Sequence, residues 1–305
     1  MSPSVANAPV SYGVFELTVG GDRYLAPAER VLEEVAAAGY GGIDLGPVGY
    51  LADAATISQR LTRHGLSLSG AYIELPFYDP PRLEAAMPSL DRLLDTLDAA
   101  QPTASGPPAR PTLAAATSPT HHARPGQAQA DPSIGLDDTG WQAFGRGLEL
   151  VVRRCRERGH EPTFHHHAAT YVEAPREIER LLALSDVGLC LDTGHLLVAG
   201  GDPLAALSRW ADRINHVHLK DAAISVMAEI VAAGASADQI WARSVFGPLG
   251  TGDLDLEGVL RGLAAIGYQG WVVVEQDVLT DNRARFEEAV VDQRANRARL
   301  AELDW

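Results

Sequence analysis

The stretch "VLEEVAAAGYGGIDLG", residues 31–46, reads as a helix that stops at a glycine and turns directly into a strand. Val31, Leu32, Val35 and Ala38 recur at helical spacing, Pro27 suits a helix start and Gly39 a helix stop. The same phrase returns at residues 259–275 as "VLRGLAAIGYQGWVVVE": helix, Gly-Tyr, one residue, Gly, strand. A helix that feeds a strand through so short a joint is the second half of a right-handed βαβ unit, and such units build a parallel sheet.

Outward from these two phrases the alternation continues. Apolar runs that predict strands lie at 10–16, 41–46, 66–75, 111–117, 162–167, 187–193, 214–220 and 270–276, with amphipathic helical stretches between them. Eight such units predict a closed (β/α)8 TIM barrel spanning residues 1–305 as a single domain. Residues 101–110, "QPTASGPPAR", read as a loop. Residues 118–140 form a long polar loop after the fourth strand, and 222–243 an insertion after the seventh with a helical pattern, "ISVMAEIVAAG". Both follow strands, which places them on the C-terminal face, where barrels keep their active sites; the loop is expected to act as a lid.

Composition narrows the function classes. The chain has 305 residues, 46% hydrophobic and 21% charged, enough to bury a large core. Its formal net charge of −15 argues against nucleic-acid binding, which needs a basic face. No apolar run reaches the ~18 residues of a membrane span, and the first residues lack a secretory pattern, so a cytoplasmic protein is expected. Cys155 and Cys190 offer no disulfide framework and read as buried thiols. Lys220 is the only lysine. A homo-oligomer is compatible with all of this.

The chemistry begins at "TFHHHAAT", residues 163–170, with three consecutive histidines. In a strand, alternation sends His165 and His167 to one face and His166 to the other. Large apolar residues should face the outer helices. Phe164 then points outward, as do Leu189 and Leu191, Val217 and Leu219, and Val272 and Val274. That turns His165, Asp192, His218 and Glu275 to the barrel axis at the ends of four successive strands, with His216 and Lys220 on the same face. Each residue alone has a structural reading: a helix cap, a core histidine, an ion pair. Together they need one another or a cation, because unpaired buried polar groups are costly. A mixed imidazole and carboxylate set suits Mn²⁺, Co²⁺, Fe²⁺ or Zn²⁺ better than Ca²⁺.

The phrases "AAGYGGIDLGPVGYL" (37–51), "FHHHAAT" (164–170), "LCLDTGHLLVAGGDP" (189–203), "HVHLKD" (216–221), "FGPLGTGDLDLEGVL" (246–260) and "VVVEQD" (272–277) resemble the sugar phosphate isomerase/epimerase superfamily, the xylose-isomerase-like TIM barrels, and within it the inosose dehydratase branch. The resemblance implies a divalent metal, manganese first, with Co²⁺, Fe²⁺, Mg²⁺ and Zn²⁺ as alternatives. The superfamily's usual ligands are Glu, Asp, His and Glu. Asp192, His218 and Glu275 match the last three, while the first carboxylate falls on His165; either His165 or His167 is then the fourth ligand. His195 matches a position that contacts substrate near the metal. The stretch "SYGVFELTVGGD" (11–22) departs from the dehydratases.

A cation of this kind polarises a ketone, so a base can remove the neighbouring proton. Expulsion of a β-hydroxyl then gives dehydration, and reprotonation gives epimerisation or isomerisation. His195 and His167 are the expected acid and base, with a histidinium delivering the proton, and Lys220 holds a developing oxyanion. Asp44 and His216 are expected to bind substrate hydroxyls. The primary expectation is a lyase dehydrating inosose or a similar keto-polyol. The alternatives are a ketose epimerase or isomerase, elimination-type cleavage of oxidised glycosides, and a non-catalytic sugar-binding or partner subunit.

Overall fold

The computed structural model describes residues 4–15, 18–100 and 106–305. The opening phrase folds as its residues dictate. The helix Ala28–Ala38 ends where Gly39 turns left-handed at φ 89°, and the Gly39 N–H closes on the carbonyls of Val35 and Ala36. The chain re-enters the sheet at Gly41, whose N–H donates to the Val5 carbonyl. A side chain at Gly42 would stand 2.8 Å from the Trp271 ring, so only glycine lets the two echoed phrases pack together.

The strands are β1 (Ser4–Asn7), β2 (Gly42–Ile43), β3 (Ser67–Leu68), β4 (Gly70–Leu75), β5 (Arg110–Ala115), β6 (Thr163–His165), β7 (Gly188–Asp192), β8 (Ile214–Leu219), β9 (Asp221–Ala222), β10 (Phe246–Gly247) and β11 (Trp271–Val274). Nine of them form one parallel sheet in the order β3-β2-β1-β11-β8-β7-β6-β5-β4. β3 and β4 are two halves of a single strand bent at Ser69, whose N–H donates to Ile43 and whose carbonyl accepts from Arg110. The sheet therefore closes through Ser69 as an eight-stave barrel. β9 and β10 make a small antiparallel pair apart from it. Among the described residues no helix is long and apolar enough to cross a membrane.

One expected strand is displaced. β1 is Ser4–Asn7, not 10–16. Pro9–Tyr12 forms a 3-10 turn closed by Gly13 at φ 78°, because Pro9 has no N–H to give a sheet ladder and suits a first helical turn. The apolar character of that stretch serves packing, as where Tyr12 meets Phe286 of the helix Arg283–Glu302. Glu16, and residues 101–105 of the proline-rich loop, lie outside the described residues.

The outward positions bury as alternation requires. Phe164 packs against Phe77 and Phe144 in the layer between strands and helices. Full burial of side chains this size contributes roughly 1.5–3 kcal/mol each. The 118–140 segment is shorter as a loop than expected: Pro119–Ala123 is helical, and Asp137 caps a helix running Asp138–Glu157. The 222–243 insertion holds two helices, Ile224–Ala232 and Asp238–Ala242, packed through Met227, Ile230, Ile240 and Phe246.

Candidate active site

At the C-terminal ends of the strands lies a cavity of about 520 Å³. Asp44, His165, His167, His218, Lys220 and Glu275 all reach its wall, beside Ala8, Val10 and Val14 on an apolar side. Trp241 and Asp238 from the insertion, and His122 from the 118–140 segment, also line it. Asp192 and His195 sit just behind, fully buried. His216 lies one alternation below His218, its ring 5.3 Å from that of His218, and is not part of the cavity wall. Among the described residues neither of its ring nitrogens has a hydrogen-bond partner.

Asp192 organises the centre because it ends β7 and begins a helix at once. One oxygen, Oδ1, caps the helix Thr193–Val198 by accepting from the His195 N–H at 2.8 Å. The other, Oδ2, faces His165 Nε2 at 3.2 Å, Lys220 Nζ at 3.2 Å and His218 Nδ1 at 3.8 Å. His218 Nδ1 also stands 3.2 Å from Glu275 Oε2, and its Nε2 3.5 Å from Asp44 Oδ2. These last contacts lack hydrogen-bond alignment: both His218 nitrogens, and His165 Nδ1, are buried without a directed partner. His166 points the other way, its Nε2 accepting from the Asp192 N–H at 3.3 Å.

A divalent cation fits this arrangement. Donor atoms of Asp192, His218 and Glu275 lie within 4.8 Å of one another, and unaligned lone pairs on buried imidazoles are what a cation would engage. His165 groups with Asp192 and His195, and with Cys190 and His218; His167 groups instead with His195 and Asp277.

Burial decides the protonation of the histidines. It pushes His165 down to about 3 and His166 to about 4, and lowers His167, His195 and His216 as well. All five are neutral near pH 7, so the histidinium expected at His195 or His167 is absent, and Lys220 and His218 are the groups that keep a proton. Burial opposes charge on Lys220 too, but Asp192, Asp277 and Glu275 outweigh it and hold its pKa well above the usual lysine range. Burial opposes the Asp192 carboxylate, which the Lys220 ammonium and the His165 hydrogen bond nevertheless hold below its usual range. Glu275 is lowered against burial by His218 and Lys220. Burial likewise opposes a charge on His218, while Cys190, Glu275 and Asp44 raise it. Since burial pushes the Cys190 thiol up to about 11, it stays neutral near pH 7, and the carboxylates carry the effect.

Alternation missed residues brought in from outside the strands. Asp277 stands 2.7 Å from Lys220, and continuing the count two places beyond Glu275 would have found it. Trp241 lines the cavity from the insertion with no periodic signal of its own, while Tyr72 and Glu74, alternate residues of β4, were within reach of the same alternation.

The chain matches the xylose isomerase-like TIM barrel family over residues 32–291. It belongs to that family. The chain is similar to the rhizopine catabolism protein MocC of Rhizobium meliloti, 32% identical over 284 residues, 91% of this chain and 82% of that one. The inosose dehydratase of Geobacillus kaustophilus (strain HTA426) is 30% identical over 274 residues, 88% of this chain and 86% of the relative. The solved IolI protein with a bound zinc atom superposes with a TM-score of 0.67 at 13% identity, covering 98% of this chain and 97% of that one, which is a likeness of fold.

Proposed function

We propose that this chain, working as one barrel domain, dehydrates a keto-polyol such as inosose: it removes the proton beside a ketone and expels the hydroxyl one carbon further on. The observation that carries this reading is a neutral imidazole and a standing ammonium on the wall of one cavity. His167 Nδ1 donates to the Ala168 carbonyl at 2.8 Å, which leaves Nε2 as the lone-pair nitrogen. His167 and Lys220 both line the cavity. The relative named inosose dehydratase supports the same reaction class.

We assign Asp192, His218, Glu275 and His165 as ligands of a divalent cation, manganese first, with Co²⁺, Fe²⁺, Mg²⁺ and Zn²⁺ as alternatives. Such a cation supplies Lewis acidity toward the ketone. The protein groups move the protons. His167 accepts the α-proton on Nε2. Lys220 donates from Nζ to the departing hydroxyl, which leaves as water; hydroxide alone is a poor leaving group near pH 7. His195, with Nε2 3.2 Å from Nζ, holds the ammonium toward the cavity. Asp44, steadied by Ser69, binds a substrate hydroxyl. His216 supports His218 from below.

The test is incubation of manganese-loaded protein with 2-keto-myo-inositol in D₂O, read by mass spectrometry. Loss of water is expected, and His167→Gln should abolish it. Interconversion of ketose epimers with deuterium uptake and no loss of water would replace this reading with the epimerase.

A further inference from the structure

Gln276 turns away from the cavity, its amide donating to Asp292 and its carbonyl accepting from Gln293, and the next residue, Asp277, turns back into the wall. Asp277 is 4% exposed, and its two oxygens serve different parts of the molecule. Oδ1 is 2.7 Å from Lys220 Nζ, an ion pair off the direction of a formed hydrogen bond. Oδ2 accepts from Trp241 Nε1 at 3.3 Å and lies 3.6 Å from His195 Nε2. Trp241 sits on the short helix Asp238–Ala242 of the insertion, its ring at 19° to that of His167 with centroids 6.2 Å apart.

Lys220 has two other carboxylates at hand, Asp192 at 3.2 Å and Glu275 at 3.0 Å. On the metal assignment above, on which this inference rests, both are committed to the cation. Asp277 is then the carboxylate left to orient the ammonium. The same group is the hydrogen-bond partner of the Trp241 indole. The insertion is otherwise joined to its surroundings by apolar packing, by backbone bonds such as Ala223 N–H to Val245 and Ala237 N–H to His122, and by side-chain contacts nearer the surface, His122 Nε2 to Asp238 Oδ1 at 3.1 Å and the Ile224 N–H to Asp253 Oδ2 at 2.7 Å.

We propose that Asp277 is a positioning residue that couples the roof of the cavity to its acid, latching Trp241 over the mouth with one oxygen and aiming Lys220 with the other. The roof opens by breaking the Trp241–Asp277 bond. When that bond is broken, the ammonium loses its fixed direction, so proton delivery belongs to the closed state. The coupling keeps the acid aligned only while the mouth is covered.

The experiment compares wild type with Asp277→Ala, Trp241→Phe and the double variant, all manganese-loaded, by backbone hydrogen–deuterium exchange and by steady-state kinetics on 2-keto-myo-inositol. Each single variant should speed exchange over residues 238–242 by about ten- to a hundredfold, the factor a hydrogen bond to a charged group is worth, with the rest of the barrel unchanged. The double variant should speed exchange no further, since both substitutions remove the same bond. Kinetically, both single variants should lower kcat, and Asp277→Ala more than Trp241→Phe, by about a hundredfold, because it removes the carboxylate that aims the ammonium as well as the bond. Unchanged exchange over 238–242 in Asp277→Ala, additive exchange effects in the double variant, or an unchanged kcat in Trp241→Phe overturns the coupling. Should Asp277→Ala fail to fold, unchanged exchange or unchanged kcat in Trp241→Phe overturns it alone. Failure of the wild type to turn over 2-keto-myo-inositol sinks the dehydratase reading, while the exchange result still decides the latch.

Discussion

His165 Nε2 stands 3.2 Å from Asp192 Oδ2, inside the carboxylate group at the barrel axis, while the next inward histidine is bonded elsewhere. His167 spends Nδ1 on the Ala168 carbonyl and groups with His195 and Asp277. His165→Ala should therefore weaken manganese binding by at least ~10–100-fold, the loss typical even of an outer partner, and His167→Ala should leave it nearly intact. His165→Glu should restore it. Metal content after dialysis, measured by mass spectrometry, checks this; loss in His167→Ala with metal retained in His165→Ala would move the fourth ligand to the other histidine.

Lys220 is 1% exposed among Asp192, Glu275 and Asp277. Lys220→Met leaves three buried carboxylates without their counter-charge. Removing one partner of a buried pair costs about 3–5 kcal/mol, and chelator-treated Lys220→Met should lose about that much in urea denaturation. Added manganese should recover part of the loss, since it returns positive charge to the same oxygens. Equal stability of variant and wild type without metal would show that the ammonium is not holding the carboxylates.

How far the site was legible follows from packing. On β7 and β8 the pairs Leu189–Leu191 and Val217–Leu219 are fully buried in the main core, so their alternation fixed which way Asp192 and His218 point. β1 was illegible because Ser4–Asn7 is short and carries little apolar signal. Its Asn7 is buried through a side-chain bond to Gln293, far along the chain. Trp241 escaped for a related reason: its significance lies in a contact with Asp277, 36 residues away in sequence, which no local period encodes. The expected lid, 118–140, reaches the cavity through His122, but the insertion contributes both Trp241 and Asp238.

Glu173 links the 118–140 segment to the turn after β6. Its Oε1 accepts from the N–H of Gly126 and of Ala169, a residue held at φ 65°, and Oε2 has no hydrogen-bond partner among the described residues. Burial pushes its pKa from 4.5 up to about 7, against the pull of His121. Between those values the folded chain keeps a proton that the unfolded chain has released, so stability should fall as pH rises from 4.5 to about 7 and level off above it. The contribution is at most about 3.5 kcal/mol, at ~1.4 kcal/mol per pH unit. Glu173→Gln should remove this part of the slope in urea denaturation run at several pH values. An unchanged slope would mean that the carboxyl is ionised in the fold.

Cys155 and Cys190 are buried and unpaired, and burial pushes their thiols up to about 12 and about 11. Neither should react with iodoacetamide at pH 8 in the folded protein, since the thiolate is the nucleophile. Both should react in guanidinium. Rapid labelling of Cys190 in the native state would mean that the barrel interior opens readily.

The solitary lysine has a consequence outside catalysis. A protease that cuts only after lysine has one target bond in 305 residues, and that bond follows Lys220, deep in the barrel. Its carbonyl accepts from Thr193 Oγ1 at 2.7 Å and its N–H donates to the same oxygen at 2.9 Å. No frayed end or surface loop supplies an easier cut, so the appearance of two fragments times the opening of the barrel itself. The chain carries its own unfolding clock.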